Sequence, residues 1–246
     1  MKSDQYIMTR NAIIIGASSG IGAALARLLA KQNYTLGLAA RRTNLLEELS
    51  KSLATTTVIR RLDICDSDAA VRTFKEIADE LGEIDVVIIA SGTGHENPDL
   101  KWEIEHKTIC TNVTGFAAIA NVAVQYFVRQ NRGTLVGISS IAAIRGNGGA
   151  PAYGASKAFV SHYLAALRHK FAKLRSPVVI IDVQPGFVDT AMAKGEGLFW
   201  VAPVEKAAKQ IVDAIERRRP HVYVTRRWRI VAWLLRLLPN AVYNRF

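Results

Sequence analysis

The chain has 246 residues, 50% hydrophobic and 22% charged, which excludes disordered and low-complexity fibre classes and leaves room for one large domain or two small ones. Its formal net charge is +11, yet residues 217–246 hold eight arginines and no acid, which leaves only +3 for the preceding body. A nucleic-acid-binding body is thereby disfavoured, and the strong charge belongs to a tail.

The first ten residues lack the long apolar run of a secretion signal. Short apolar, β-branched runs then recur at 12–15, 35–39, 57–61, 86–90, 134–138 and 178–183, with a weaker one at 222–225. Runs of this kind suit parallel strands buried on both faces. Helical stripes lie between them. Ile21, Ala24, Leu25, Leu28 and Leu29 form one; Ala70, Phe74, Ile77, Ala78 and Leu81 form another, with Asp66 as its N-cap. Val204, Ala207, Ala208, Ile211, Val212 and Ile215 form a third, with Pro203 in the first turn. Repeated strand–helix alternation predicts an α/β fold: a single doubly wound domain with a seven-stranded parallel sheet. The domain covers residues 1–225, its folded part starting near Thr9, and a basic apolar tail follows at 226–246.

Cys65 and Cys110 stand in unrelated contexts without CxxC or metal-ligand spacing, which suits a reducing, cytoplasmic setting. The five histidines are scattered, and no metal site is expected.

The first strand runs into Gly16-Ala17-Ser18-Ser19-Gly20-Ile21-Gly22 and then an amphipathic helix. In that position Gly16 permits a tight turn, Gly20 lets the backbone approach a pyrophosphate, and Gly22 lets helix and strand pack closely. The N–H groups of Ser18, Ser19 and Ile21 lie where the helix start meets the anion. The second strand ends in Ala39-Ala40-Arg41-Arg42, with no acid for a ribose 2′-hydroxyl. Two guanidinium groups there suit the 2′-phosphate of NADP, with Arg41 the main contact and Arg42 secondary.

Tyr153 and Lys157 are four apart and share one helical face. An ammonium near a phenol lowers its pKa, so such a tyrosine can exchange a proton with a carbonyl or alcohol oxygen. Ser140, just past the run at 134–138, can hold that oxygen.

Together these motifs resemble the short-chain dehydrogenase/reductase superfamily over residues 9 to 225. The resemblance implies further roles. Asp63 and Ile64 would contact adenine, and Asn112 would join Ser140, Tyr153 and Lys157 in a catalytic tetrad. Pro185 and Gly186 match the segment after the sixth strand, where Val188 and Thr190 would meet the nicotinamide carboxamide. The family's Asn-Asn-Ala-Gly motif reads Ile89-Ala90-Ser91-Gly92 here, and Ile15 replaces the usual threonine before the first glycine. Gly92 still permits backbone approach to the cofactor.

The implied activity is NADP(H)-dependent reduction of a carbonyl, or oxidation of the matching alcohol, by hydride transfer. A dinucleotide-binding sensor or scaffold on the same fold is the alternative. Residues 190–203 correspond to the substrate lid, with Gly195 and Gly197 as hinges. Met192, Leu198, Phe199 and Trp200 either wall an apolar substrate site or pack the lid onto the body; His95 lies near the pocket mouth. The resemblance also implies a homodimer or homotetramer through the helices carrying Asn112 and Tyr153.

In the tail, Arg226, Arg229 and Arg236 form one helical stripe, and Trp228, Ile230, Val231, Leu234, Leu235 and Leu238 cover most of the rest. The apolar stretch 230–238 is interrupted by Arg236 and is far shorter than the about eighteen residues of a bilayer span. Such a surface must dock, on a membrane interface or on protein, its own body or a second subunit, with nucleic acid a lesser third option.

Overall fold

The computed structural model describes residues 10–193 and 198–245. Gly195 and Gly197 lie outside the described residues. The chain alternates β1 (Arg10–Ile15), α1 (Gly20–Lys31), β2 (Tyr34–Ala40), α2 (Thr43–Lys51), β3 (Thr57–Arg61), α3 (Ser67–Leu81) and β4 (Val86–Ile89). There follow α4 (Trp102–Ile109), a π-helical turn (Cys110–Gly115), α5 (Phe116–Arg129), β5 (Thr134–Ile138) and a short 3-10 turn (Ile141–Ala143). Then come α6 (Pro151–Lys173), β6 (Val179–Pro185), α7 (Val204–Glu216), β7 (His221–Val224), α8 (Trp228–Leu237) and α9 (Asn240–Tyr243).

The strands form one seven-stranded sheet in the order β3-β2-β1-β4-β5-β6-β7, parallel throughout. The expected α/β architecture is what forms, and each strand lies within two residues of its expected bounds. Alternation along β1 shows why the runs are continuously apolar. Ala12 and Ile14 join the core under α1, α2 and α7, whereas Ile13 and Ile15 join the core under α3, α5 and α6.

Asp66 caps α3 as its position predicts, its carboxylate accepting from the Ala69 N–H at 3.1 Å. Pro203 precedes α7 in extended conformation instead of occupying its first turn. Helices α2 and α4 carried no singled-out stripe. Only Leu46 and Leu49 of α2 and Thr108 of α4 are buried, so each offers the core little to read.

The boundary at Thr225 falls inside a continuous packing unit. Trp228, the first residue of α8, is buried, and so is Ala232 one turn on. A Cβ on Gly186 would meet the Trp228 ring at 1.9 Å, so only glycine lets the indole lie on the strand end. Of the destinations open for the tail, the docked face of α8 therefore takes its own body.

Candidate active site

The crossovers reverse direction beyond β1, so the carboxyl ends of β1 and β4 open a crevice at the switch point. The glycine turn lines it. Gly16 takes φ +91, and a Cβ there would sit 2.4 Å from the Ser91 nitrogen; a Cβ on Gly22 would sit 2.3 Å from the Gly16 carbonyl oxygen. Ser19 precedes α1 without capping it through its side chain, which leaves first-turn N–H groups facing the crevice.

Both arginines after β2 are exposed, and they differ in placement. The guanidinium of Arg42 donates to the hydroxyls of Ser18 at 3.0 Å and Ser19 at 2.7 Å, so it lies across the turn. The sequence ranked Arg41 first; the geometry brings Arg42 to the turn. Asp63 accepts from the Cys65 N–H at 3.1 Å, and Ile64 is buried with its carbonyl against Gly115. From the other side, the Thr190 methyl lies 3.2 Å from where a Gly20 Cβ would be. The segment after β6 thus reaches the glycine turn. Within it Val188 is buried and bridges to Ala202.

The altered motif after β4 stays fastened to β1 by backbone bonds. Ala90 and Ser91 both donate N–H to the Ile15 carbonyl, at 2.8 and 2.9 Å. The Ser91 hydroxyl is buried and unpartnered. Asn112 braces the segment that follows. Its amide oxygen accepts from the Thr93 N–H at 2.9 Å, and its nitrogen donates to the Thr93 carbonyl at 2.7 Å and to Ser156 Oγ at 2.9 Å. The π-helical turn sets this inward aim, because the extra residue in the turn rotates the following side chains. Gly94, held beside Thr93, lies against the Tyr153 ring, which a Cβ there would meet at 2.4 Å. His95 is exposed, its ring 3.0 Å from the Thr93 hydroxyl.

Three of the residues expected in the tetrad lie near one another. Ser140 Oγ accepts from the Ala142 N–H at 3.1 Å beside the Tyr153 phenol, and Lys157 Nζ lies 5.8 Å from the Tyr153 ring centre while donating to the Ile138 carbonyl at 2.9 Å. The sequence expects Lys157 to lower the Tyr153 pKa. The environment does otherwise: burial raises the phenol, and the nearby Ser140 hydroxyl only partly offsets it. Lys157 is turned to a carbonyl and is itself brought down to about 8 by burial, with the Asp182 charge resisting.

Asp182 was missed. It is wholly buried on β6 and accepts from Ser139, from Ser161 at 2.6 Å and from Gln184 at 3.2 Å. A lone acid inside an apolar strand run was the available signal. Thr93, Gly94 and Ser156 carried none. Cys65 and Cys110, unrelated in sequence, also meet: Cys110 Sγ donates to the Cys65 carbonyl at 3.5 Å. Burial and the neighbouring Cys65 side chain push the Cys110 thiol up to about 11, which keeps it from the reactive thiolate.

In the segment expected as the lid, Phe199 and Trp200 pack on the tail. Trp228 lies 5.0 Å from Phe199, 5.4 Å from Phe187 and 6.1 Å from Trp200, ring centre to ring centre. Arg227 donates to the Trp200 carbonyl at 2.8 Å, and Met192 stays exposed. Arg145, in the loop after β5, closes the far end by donating to the Leu235 carbonyl at 2.8 Å and to the Leu238 carbonyl.

The short chain dehydrogenase family model matches residues 10–198. The chain belongs to the short-chain dehydrogenase/reductase family. This dehydrogenase is 33% identical to an uncharacterized oxidoreductase of Mycobacterium tuberculosis over 250 aligned positions, covering 97% of this chain and 98% of that one. In fold it is similar to a short-chain dehydrogenase/reductase from Burkholderia phymatum in complex with NAD, with TM-score 0.83, 19% identity and 92% of each chain covered. A short-chain dehydrogenase from Sphingobium yanoikuyae in complex with NADPH matches with TM-score 0.77 and 22% identity, covering 94% of this chain and 97% of that one. Membership makes the protein an oxidoreductase. Among the described residues no helix is long and apolar enough to cross a membrane, and no group of three or more His, Cys, Asp or Glu is placed to hold a metal.

Proposed function

We propose that this oxidoreductase uses NADP(H) to interconvert a carbonyl compound and its alcohol, with Tyr153, Ser140, Lys157 and Asn112 as its working side chains. The grouping of Tyr153 with Lys157 and Ser140, beside a glycine turn overlaid by Arg42, carries the proposal. The turn fits a pyrophosphate, because a Cβ at Gly16 or Gly22 would collide with backbone. When bound, the nicotinamide supplies or accepts the hydride at the reacting carbon.

Tyr153 gives its proton to the carbonyl oxygen in reduction and takes it from the alcohol in oxidation. Its raised pKa keeps it protonated near neutral pH, which suits the acid role and so the reductive direction. Ser140 holds the substrate oxygen. Lys157, with a pKa near 8, keeps an exchangeable proton behind the phenol. Asn112 is a positioning residue: by clamping Thr93 it holds Gly94 on the Tyr153 ring.

Support for the phosphorylated cofactor comes from the two arginines after β2 and the lack of an acid there. Asp63 and Ile64 would take the adenine, and Val188 and Thr190 the carboxamide. Met192, Phe199 and Trp200 would wall an apolar substrate, with His95 at the rim. Assembly as a homodimer or homotetramer through the helices carrying Asn112 and Tyr153 rests on the family likeness.

The test is Tyr153→Phe assayed against aldehydes, ketones and quinones. NADPH binding should persist while carbonyl reduction falls by about 10²–10⁴-fold. Undiminished reduction would refute the assignment, and wild-type binding without turnover on the whole panel would favour the sensor alternative.

A further inference from the structure

Helix α8 has two apolar faces, and the body covers only one. Trp228 and Ala232 are buried, and Val231 and Leu235 are half-buried against the body. On the other side Ile230, Trp233, Leu234 and Leu237 follow the i, i+3, i+4, i+7 pattern of one stripe. They are 58%, 62%, 55% and 60% exposed. A contiguous exposed stripe of this kind marks an interaction surface.

Charge identifies what it meets. Arg226, Arg227, Arg229, Arg236 and Arg245 are all exposed around the helix, and no acid lies within residues 217–246. We infer that α8 seats this enzyme on an anionic lipid surface, with Ile230, Trp233, Leu234 and Leu237 entering the headgroup–acyl boundary and the arginines at the headgroups. A short helix with an apolar side, a boundary tryptophan and basic flanks lies in the interface plane. Its ten residues, about 15 Å long, cannot span a bilayer, so the contact is peripheral.

A second copy is a poorer occupant. Four side chains on one short helix offer less than the about 800 Å² per partner of a stable dimer, and a two-fold contact would bring arginine against arginine. Nucleic acid would use the arginines and leave the apolar stripe in water. Docking of the inner face fixes the orientation, because Arg145 holds the Leu235 and Leu238 carbonyls and Trp228 fills the space over Gly186. The stripe is therefore presented by a rigid support, with the substrate lid at its N-terminal end through Arg227 and Trp200.

The experiment is flotation of the full chain with vesicles of phosphatidylcholine alone and of phosphatidylcholine with phosphatidylglycerol. The protein should float only with the anionic vesicles, and added salt should release it. Trp233→Ser with Leu234→Ser should reduce partitioning by about tenfold or more. Arg226→Ser with Arg229→Ser should reduce it about fivefold per arginine. Thermal unfolding and NADPH binding should stay at wild-type values in both variants, since all four side chains are exposed. Failure to float with anionic vesicles, equal flotation with both compositions, or flotation unchanged by the variants would overturn the inference. So would a change in oligomeric state of the Trp233→Ser/Leu234→Ser protein in sedimentation velocity, which would assign the stripe to a second copy. None of these outcomes depends on the catalytic assignment.

Discussion

On its cofactor side the crevice is made from residues 16–42 with Asp63 and Ile64, a stretch in which strand, turn and helix follow one another. On its proposed substrate side it is made from Thr93 to His95, Ser140, Tyr153, residues 198–203 and the tail, pieces far apart in sequence, as in Arg145 and its partner Leu235, ninety residues on. The first side is held by backbone: Gly16, Gly22 and the paired N–H groups of Ala90 and Ser91. The second is held by side chains: the Asn112 clamp, the Trp228 aromatic cluster and the Arg145 bonds. Backbone geometry tolerates many side chains and recurs wherever the phosphate must be cradled. Side-chain clamps depend on the identity of each residue, so single substitutions should reach the proposed substrate side more readily than the cofactor side.

The sharpest way to break that contrast is Trp228→Ala. Removing a buried indole should lower stability to urea by about 3–5 kcal/mol and raise the KM for the carbonyl substrate, while the Kd for NADPH stays unchanged. If NADPH affinity falls in step, the two sides are one unit. A smaller effect is expected from Lys157→Met. Burial holds the folded Lys157 near 8, below its ordinary 10.5. Between those values the unfolded chain binds a proton that the folded chain has released, so stability rises with pH across the window and the penalty is complete below it. The methionine variant should therefore be more stable than wild type at neutral pH, by about 1–3 kcal/mol, and should lose that advantage by about pH 10. Urea titrations at a series of pH values measure it; a gain that persists at alkaline pH would place the cause elsewhere. Turnover should be lost in the same variant. The mildest prediction is Arg42→Ala, which should weaken NADPH by about tenfold and leave NADH unaffected. Equal weakening of both would make Arg42 a brace for Ser18 and Ser19 rather than a phosphate ligand.

Much of the fold was legible because buried parallel strands leave a continuous apolar signature. The seven runs, the α1 and α3 stripes and the Asp66 cap all reappear in place. Elements without such a signature were not legible. Helix α4 buries little beyond Thr108, and the π-helical turn has no sequence mark beyond the Asn112 it aims. At the site, the residues were readable but the electrostatics were not. Tyr153 and Lys157 are four apart in any helix, yet the sign of the phenol shift depends on burial and on where Nζ points. The Asn112 clamp on Thr93 was hidden as well, since it joins positions nineteen residues apart.

By itself the sequence determined the doubly wound sheet, the phosphate-cradling turn and the placement of Tyr153 with Lys157 on one face, because each follows from local spacing and from the periods of strand and helix. Only the tertiary structure decided that Arg42 crosses the turn, that Asp182 stands behind Lys157, and that α8 divides into a docked face and a free one. Those outcomes depend on which distant surfaces meet. A short helix that is apolar almost all round states only that it will be covered; packing against Gly186 and Arg145 chose which side, and left Ile230, Trp233, Leu234 and Leu237 outside.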